Sequence, residues 1–343
     1  MSEQAGLRPP PRNDGGACSL ADKVAWLRSQ LGPGDEAIET HFAWVFLVGD
    51  RAWKLRKPVR RDTMDFSTVE ARHVDSESDV RLNRRLAPTI CLRTRPLTLD
   101  RQGGLAIGGS GEVVDWLVEM RRIDRGRMLD AMLARDAVRD ADLVRVAALL
   151  AGFYAAEPPA LDCGDALLAR LRAQVDANHG VVGALEAAVA DPLRDAQLAF
   201  LDDHHDWLQL RASRGCVIEG HGDLRPEHVL LEEPPAVIDC LEFDRNLRVM
   251  DRAEELAFLE LECGRLGHAT AGRRIASECL ARLDDRIPEA LMCFYRSHRA
   301  ATRAKLYVWR ANEPDGGSPQ HWLTTARDYL GMARAAILPR AVR

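Results

Sequence analysis

The sequence predicts an α+β protein with a small N-terminal lobe, built on an antiparallel sheet with one long helix, and a large, mainly helical C-terminal lobe. Before residue 122, runs such as "FAWVFLVGDRAWKLRKPV" and "EVVDWLVEM" are apolar or alternating, which is typical of strands. After residue 122, apolar residues recur at helical spacing through most of the chain. One stretch, Cys216–Asp244, interrupts these helical patterns with short strand-like runs.

The composition is that of a globular chain large enough for an extensive core. It has 343 residues, of which 46% are hydrophobic, and this size predicts one large or two smaller domains. The formal net charge of −5 gives no indication of a nucleic-acid partner, and the sequence has no apolar run of the length that spans a membrane. Eight cysteines without a C-x-x-C pair are typical of free thiols in a reducing cytosol. We therefore expect a cytoplasmic protein with neither nucleic acid nor membrane as a partner.

The N-terminal lobe is predicted to begin with a helix. Ser19 starts a capping box, and this helix should run to Leu31. Gly49-Asp50 is expected to form the turn of a hairpin. The long helix spans Ser67–Leu86 and ends where a proline follows. Three further strand patterns complete the lobe, namely "CLRTRPLTLD", "GGLAIGG" and "EVVDWLVEM".

The segment boundaries follow from the changes in pattern. Residues 1–18 are rich in Pro and Gly and are predicted to be disordered, residues 19–121 form the N-terminal lobe, and residues 122–343 form the C-terminal lobe. The helical patterns of the C-terminal lobe are "MLDAMLARD", "ADLVRVAALLAGFYAAE", "GDALLARLRAQVDANHG", "DPLRDAQLAFLDDHHDWLQLRASRG", "DRAEELAFLELECGRLG", "AGRRIASECLARLDD", "PEALMCFYRSHRAATRAKLYVWRA" and "HWLTTARDYLGMARAAIL".

The interrupting stretch places polar residues around two apolar runs. The runs "VLL" and "AVI" flank "EEPP", which suggests a hairpin with a four-residue turn. In that register Leu231 lies opposite Ala236, and extending the ladder places His228 opposite Asp239. Cross-strand neighbours have side chains about 5 Å apart. The pattern therefore indicates a place where a metal ion could be held.

The spacing of the polar residues also matches a known catalytic loop. His221-x-Asp223-x-x-x-x-His228 follows H-R-D-x-x-x-x-N of protein kinases, with Gly in place of Arg and His in place of Asn. Asp239, in "DCL", occupies the position of the metal-binding Asp of D-F-G. Phosphoryl transfer needs such a set, because one carboxylate orients the attacking hydroxyl while other ligands hold Mg²⁺ against the phosphates.

A kinase-like site also needs a cation from the small lobe. "RAWKL" matches the strand pattern of V-A-I-K and gives this role to Lys54, while Lys57 points to the opposite face and is the second choice. The long helix should carry an acid that pairs with the lysine. Asp79 shares a helical face with Leu82 and is preferred over Glu77.

The phosphate-binding loop is less well defined. No G-x-G-x-x-G precedes the lysine, and no lysine follows a glycine, so a P-loop motif is absent from the sequence. The loop before the first hairpin reads "ETHFAW" instead. Thr40 and His41, or the backbone beside them, are the candidates for contacts to the phosphates.

These motifs together resemble the aminoglycoside phosphotransferase-like family of the protein-kinase-like fold. The resemblance rests on "ETHFAWVFLVGDRAWKLRKPV", "DFSTVEAR", "RLNRRLAP", "HGDLRPEHV", "DCLEFDRNLR" and "RAATRAK", and extends over about Ala37 to Leu306. It is closest to a bacterial group of unassigned substrate, some members of which carry an additional P-loop domain. The resemblance implies a two-lobed fold in which the N-terminal lobe binds nucleotide and the C-terminal lobe carries the catalytic and substrate residues.

The resemblance also implies roles for individual residues. Asp223 is the implied catalytic base, Asp239 the implied Mg²⁺ ligand, and Lys54 the implied contact to the nucleotide phosphates. The segment 118–121, which includes Val118, resembles the hinge whose backbone binds adenine beside Met120.

Other positions have implied supporting roles. Asp251 resembles a structural Asp that bonds to the backbone of the catalytic loop, and His221 is likewise structural. Glu242 and Asp244 are implied to line the metal or acceptor site, and Arg225 to lie near the transferred phosphate.

His228 is the main departure from the family pattern. Asn is a hard oxygen ligand suited to Mg²⁺, whereas imidazole prefers softer metals such as Mn²⁺ or Zn²⁺. His228 is predicted as a metal ligand beside Asp239. The alternative is that it hydrogen-bonds Asp223 or Asp239 without touching metal.

The sequence therefore predicts an ATP-dependent phosphotransferase that uses ATP and Mg²⁺, with Mn²⁺ as an alternative, on a hydroxyl of a small molecule. A first alternative is a degenerate kinase fold that binds nucleotide or regulates without catalysis. A second is a metal-dependent hydrolase using His221, His228 and Asp239. The acceptor is a sugar, an aminoglycoside-like compound or another metabolite, since Arg245 and Arg248 accompany the acidic candidates.

Overall fold

The computed structural model describes residues 18–61, 64–160, 163–313 and 317–338. Contacts divide the chain into two compact units. The first is Met1–Arg125 together with Ile238–Asp244, and the second is Gly126–Val237 together with Arg245–Arg343. Except for Cys18, the N-terminal segment predicted to be disordered lies outside the described residues.

The first unit is built on a six-stranded antiparallel sheet. Its strand order is β1-β2-β3-β8-β6-β7, and a separate two-stranded ladder is formed by β4 and β5. The elements of this unit are α1 (Leu20–Ser29), β1 (Glu36–Glu39), β2 (Ala43–Val48), β3 (Arg51–Arg56), β4 (Arg60–Arg61), β5 (Met64–Asp65), α2 (Val69–Asn83), β6 (Cys91–Leu99), β7 (Leu105–Ile107) and β8 (Glu112–Arg121).

Local sequence accounts for these elements. Ser19 caps α1 in a capping box, and Thr68 caps α2 by accepting from the amide of Ala71. The β2–β3 hairpin turns at Gly49, whose φ of 57° favours glycine. Along β3, Leu55 points into the apolar core that packs against α1, and its neighbours in the strand point the other way.

The second unit is mainly helical. Its elements are α3 (Leu129–Leu133), α4 (Asp140–Ala156), α5 (Gly164–Asp203), α6 (His205–Ser213), β9 (Val217–Glu219), β10 (Val229–Leu230), β11 (Ala236–Val237), β12 (Val249–Asp251), α7 (Arg252–Arg265), α8 (Ala269–Arg282), α9 (Glu289–Ala311) and α10 (Pro319–Ile337). The helix α5 is interrupted at Glu186, where φ and ψ are −160° and 78°. The predicted α+β class, with a small antiparallel sheet and a large helical part, is confirmed.

Helix α9 is central to the second unit. It packs along α10 and also contacts α5 and α7. Its buried face combines large residues such as Phe294 and Tyr295 with the small residues Ala300, Ala301 and Ala304, which let neighbouring helices approach closely. Within the described residues, no helix combines the length and the apolar character needed to cross a membrane.

The predicted register of the short hairpin is wrong by one residue. Strands β10 and β11 pair Val229 with Val237 and Leu230 with Ala236. Leu231 does not continue the ladder, because its amide donates to the carbonyl of Arg127 at 2.9 Å. The extrapolation that placed His228 opposite Asp239 therefore has no basis in the observed pairing.

Candidate active site

Lys54 and Asp79 form an ion pair between the sheet and the long helix of the first unit. The Nζ of Lys54, in β3, lies 2.7 Å from Oδ2 of Asp79, in α2. Burial by itself raises the pKa of Asp79, but the charges of Lys54 and Arg56 outweigh burial and lower this pKa. The structure thus brings together the lysine and the acid that the sequence singled out.

Three more charged residues extend this pair into a buried cluster. Nε of Arg56 lies 2.6 Å from Oδ2 of Asp75, and the same guanidinium contacts Glu242. Glu242 also approaches Lys54, at 3.8 Å. Burial raises the pKa of Asp75, and the charge of Arg56 offsets this only in part. Glu242, expected to line the metal or acceptor site, is therefore held by two cations of the first unit.

Asn83 links this cluster to the segment 238–244. Its Nδ2 donates to Oδ1 of Asp79 at 2.8 Å, and its Oδ1 accepts from the amide of Cys240 at 3.0 Å. This anchors the chain directly after Asp239, which is exposed and has a left-handed φ of 63°. Such a backbone conformation is uncommon outside glycine and persists only where the surroundings fix it.

Asp239 has the chemistry expected of a Mg²⁺ ligand. In phosphotransfer sites Mg²⁺ is held by one or two carboxylates together with phosphate oxygens and water, and an exposed carboxylate on an anchored backbone fits that arrangement.

Across the described ranges, no group of three or more His, Cys, Asp or Glu side chains is arranged to hold a metal ion. The hydrolase alternative, which needs His221 and His228 beside Asp239, therefore lacks a ligand group.

Val118 and Met120 lie inside β8, between β3 and β6. A strand flanked on both sides uses its backbone donors and acceptors in the sheet. The amide of Arg121 donates to the carbonyl of Ile90 at 2.9 Å, whereas the amide of Ile123 makes no hydrogen bond within the described part of the chain. Because the amide of Arg122 also donates, to the carbonyl of Asp50 at 2.8 Å, the free amide of Ile123 lies two residues beyond the predicted range 118–121.

The turn between β1 and β2 holds the two residues predicted near the phosphates. Oγ1 of Thr40 accepts from the amide of Ala43 at 3.0 Å, so this hydroxyl stabilises the turn itself. His41 follows in the same turn and is half-buried. Lys57, the second-choice lysine, lies 2.6 Å from a carboxylate oxygen of Glu39. Contacts from Thr40 and His41 to a nucleotide stay predictions.

The loop from residue 221 to residue 228, in the second unit, carries Asp223. Nε of Arg225 lies 2.9 Å from Oδ2 of Asp223, and Arg225 also contacts Glu227. No group of the described residues donates a hydrogen bond to the other carboxylate oxygen, Oδ1, and 17% of the Asp223 side chain is exposed. One oxygen is therefore fixed by an arginine, and the other is available to a hydroxyl group.

Asp223 is ionised over the ordinary pH range. Burial by itself raises the pKa of its carboxyl group, but Arg225, followed by His228 and then by Arg303 and Arg299, lowers the pKa to about 2. A carboxylate with so low a pKa accepts a hydrogen bond readily but is a weak base. These charges suit Asp223 to orienting a hydroxyl group.

His228 and His221 are both engaged within the loop. Nδ1 of His228 lies 2.8 Å from the carbonyl oxygen of Asp223 and must donate to it, so Nε2 accepts from Arg225 at 3.1 Å. Nδ1 of His221 accepts from the amide of Asp223 at 3.3 Å, and His221 is almost fully buried. The geometry thus favours the alternative in which His228 bonds to the loop over its prediction as a metal ligand.

Gly222 is held from both sides. Its amide donates to Oε1 of Glu255 at 2.6 Å, and its carbonyl accepts from Arg299 at 2.9 Å. Its φ of 88° favours glycine, and a Cβ on Gly220 would lie 2.8 Å from Oε2 of Glu255. Both glycines around His221 are therefore required, and together they fix the peptide immediately before the catalytic candidate.

The role implied for Asp251 needs correction. Asp251 accepts from Arg211 at 2.7 Å, from the hydroxyl of Tyr295 at 2.8 Å and from the amide of Ala253, which caps α7. None of its bonds within the described residues goes to the backbone of the catalytic loop. Glu255, one helical turn further along α7, makes that bond instead.

The arginines expected beside the acceptor are also engaged. Nε of Arg245 and NH2 of Arg248 each lie 2.8 Å from a carboxylate oxygen of Glu219. Both arginines therefore share one carboxylate within the second unit. Asp244 ends the segment 238–244 of the first unit and is partly buried.

Three similar curated proteins are mycobacterial. An uncharacterized protein of Mycobacterium tuberculosis and another of Mycobacterium bovis are each 31% identical over 297 residues, which cover 82% of this chain. These residues are 56% of each relative, so the chain spans little more than half the length of the curated relatives it matches. No protein-family model matches the chain.

Similar solved structures are kinases of small molecules. A choline/ethanolamine kinase family protein from Mesorhizobium loti has a TM-score of 0.54 and 15% identity, covering 91% of this chain and 90% of that one. The GDP complex of wild-type aminoglycoside 2'-phosphotransferase-IIIa has a TM-score of 0.52 and 16% identity, covering 88% and 92%. A choline kinase from Cryptosporidium parvum has a TM-score of 0.52 and 13% identity, covering 92% and 97%.

The chain has the protein-kinase-like fold of aminoglycoside phosphotransferases and choline kinases. The fold implied by the sequence motifs is therefore confirmed.

Sequence reasoning missed several residues of this kinase-like fold. Arg56 shares a strand face with Lys54, so side-chain alternation alone could have found it. Arg299 and Arg303 stand four residues apart on a face of α9 otherwise made of buried alanines, which is an unusual place for charge. Glu255 had no such signal beyond its place one turn after Asp251.

Proposed function

We propose that the protein is an ATP-dependent phosphotransferase that moves the γ-phosphate to a hydroxyl group of a small molecule. The observation that carries the proposal is the Lys54–Asp79 ion pair between a strand and the long helix. Protein kinases use a pair of this kind to hold the lysine against the nucleotide phosphates. The similarity of fold to kinases that act on small molecules supports the same conclusion.

Asp223 orients the acceptor in this proposal. Its Oδ1 accepts a hydrogen bond from the acceptor hydroxyl while Arg225 holds Oδ2. The hydroxyl oxygen attacks the γ-phosphorus, and the bond between this phosphorus and the β,γ-bridging oxygen breaks. Because the pKa of Asp223 is about 2, the hydroxyl proton passes to the carboxylate only as the new oxygen–phosphorus bond forms.

The nucleotide contacts come from the first unit in this proposal. Lys54 binds the α- and β-phosphates, held in place by Asp79. Asp239 would hold Mg²⁺, which supplies neutralisation of the phosphate charge. The backbone after Met120 would bind adenine, and the turn at Thr40 would approach the phosphates. The cytoplasmic location stays an expectation, consistent with eight unpaired cysteines.

Titration of ATP by calorimetry tests the metal role of Asp239. We expect wild-type protein to bind ATP more tightly with Mg²⁺ than with EDTA, and we expect Asp239→Ala to abolish this difference, because the carboxylate fixes the metal that bridges protein and phosphates. Glu112→Ala, which removes an exposed carboxylate at the start of β8, is the matched control. Absence of ATP binding with Mg²⁺ and with Mn²⁺ would sink the proposed function and leave the alternative of a degenerate kinase fold with a regulatory role.

The same titration tests Lys54. We expect Lys54→Met to weaken ATP binding by about 10- to 100-fold, since a hydrogen bond to a charged group contributes about 1.5–3 kcal/mol. Lys57→Met is the matched control, because Lys57 is similarly buried and pairs with Glu39 instead. Thermal unfolding of both variants separates loss of the ligand contact from loss of the fold. Equal ATP affinities in the two variants would contradict the assignment of Lys54.

A further inference from the structure

Three arginines of the second unit act on Asp223, and two of them already have partners. Arg225 donates to the Asp223 carboxylate. Arg299 donates to the carbonyl of Gly222 and lies 3.8 Å from a carboxylate oxygen of Glu254. Both arginines therefore serve to build the catalytic loop.

Arg303, one turn further along α9, is different. Its NH2 donates to the hydroxyl of Tyr307 at 3.1 Å, and its guanidinium lies over the rings of Tyr307 and Tyr329, at 5.1 and 5.8 Å from their centroids. Its Nε is buried without a hydrogen bond, and Arg303 forms no ion pair with any described residue. This guanidinium has no carboxylate at ion-pair distance, and the charges of Asp223 and Glu262 act on it only from farther away, raising its pKa.

The carboxylate of Glu262 is already bonded to other side chains. Glu262 is fully buried and accepts from the hydroxyl of Tyr329 at 2.7 Å and from Nε of Arg265 at 3.0 Å. Lys305 is a further basic residue of α9, and burial and the charge of Arg299 both lower its pKa. Glu262 therefore acts on Arg303 through its charge but forms no ion pair with it.

Arg303 is a partly buried cation without an ion pair. Desolvation of such a charge is unfavourable unless a partner compensates it. The planar guanidinium fork matches the oxygen pairs of carboxylates and phosphates, and aromatic faces hold it in a fixed orientation. Arg303 has both features, since two tyrosine rings fix it and its Nε has no acceptor.

We infer that the acceptor bears an anionic oxygen group, a carboxylate or a phosphate monoester, that binds Arg303 while its hydroxyl lies at Asp223. This inference rests on the proposed phosphotransferase function and specifies its substrate class. Polycationic aminoglycosides are then poor acceptors, because the same cations repel them.

A competing role for Arg303 is stabilisation of the transferred phosphoryl group. That role would make its removal lower kcat for every acceptor, charged or neutral. Binding of an acceptor anion instead makes its removal raise KM for anionic acceptors while kcat changes less. The two roles therefore differ in a measured quantity.

The first experiment needs no acceptor and uses inorganic phosphate and acetate as probes, titrated by calorimetry at constant ionic strength. We expect phosphate or acetate to bind wild-type protein at least about tenfold more tightly than Arg303→Gln. Arg303→Lys should retain part of the affinity, and Arg310→Gln, on the same helix and paired with Glu313, should equal wild type. Lys54→Met should keep the site, because the nucleotide lysine is not part of it.

Two results of this experiment would overturn the inference. One is equal anion binding by wild type and Arg303→Gln, with both folded by thermal unfolding. The other is loss of anion binding in Lys54→Met alone, which would place the anion at the nucleotide phosphates. Whichever anion binds more tightly assigns the group as phosphate or carboxylate.

The second experiment measures ADP formation from ATP with paired acceptors, hexose against hexose 6-phosphate and glycerol against glycerate. We expect turnover with an anionic member, with KM raised about tenfold or more in Arg303→Gln. Faster turnover of a neutral or aminoglycoside acceptor, unaffected by Arg303→Gln, would refute the inference and leave the kinase proposal intact. Failure to bind ATP would sink the kinase proposal, while the phosphate titration would still decide whether Arg303 binds anions.

Discussion

Asp223→Asn is expected to lower kcat by about 10²- to 10⁴-fold, the range that a positioned acid–base group contributes. The asparagine oxygen still accepts from Arg225, so the loop keeps its shape, but the neutral amide can neither hold the acceptor hydroxyl as strongly nor receive its proton. The proposed nucleotide contacts lie in the first unit, so we expect them to be unchanged. ATP affinity should therefore stay near that of wild type while turnover is lost.

The measurement is ADP formation with a competent acceptor, together with an ATP titration of the same variant. Asp195→Asn is the control, because Asp195 is an exposed aspartate of the second unit. With the pKa of Asp223 held at about 2, kcat/KM should show no acidic decline from this group above about pH 4. Turnover close to wild type in Asp223→Asn would show that the carboxylate has no part in catalysis.

Residues close together in the sequence were predictable because local patterns determine their geometry. The strand pattern around Lys54 and the helical face of Asp79 each fix a direction, and a strand packed on a helix brings the two together. The spacing from His221 to His228 likewise identifies a single loop. Side-chain directions in strands and helices, and the spacing of residues in one loop, can each be predicted from a single segment of the sequence.

Contacts that depend on distant segments were not predictable. The short hairpin shifted by one residue because two-residue strands define a register weakly, and Leu231 bonds to Arg127 more than a hundred residues away in the chain. The choice between Asp251 and Glu255 depends on how α7 is rotated against the loop. Arg303 could not be recognised from the sequence, because its Nε is left without a hydrogen-bond partner only by the way distant segments pack around it.

Glu255→Ala is expected to lower the free energy of unfolding by about 2–6 kcal/mol, because buried donors left without an acceptor cost about 1–3 kcal/mol each. The donors are the amide of Gly222, 2.6 Å from Oε1, and the hydroxyl of Tyr154, 2.9 Å from Oε2. Turnover should fall as well, since Gly222 positions Asp223. Thermal unfolding and kcat are the two measurements. Glu278→Ala removes only surface ion pairs on α8 and is the control.

Glu255→Gln separates the loss of acceptors from the loss of charge. The amide keeps one oxygen for Gly222, so we expect a smaller destabilisation than in Glu255→Ala and a partial recovery of kcat.

Burial raises the pKa of Glu255 above its usual 4.5, and the hydrogen bonds from Gly222 and Tyr154 offset this only in part. A carboxyl whose pKa is raised by folding adds stability that is present below pH 4.5 and is lost as the pH rises through the folded value. The stability of wild type relative to Glu255→Gln should therefore increase as the pH falls towards 4.5. An equal difference at every pH, or unchanged unfolding and kcat in Glu255→Ala, would contradict the role of Glu255 in holding the catalytic loop.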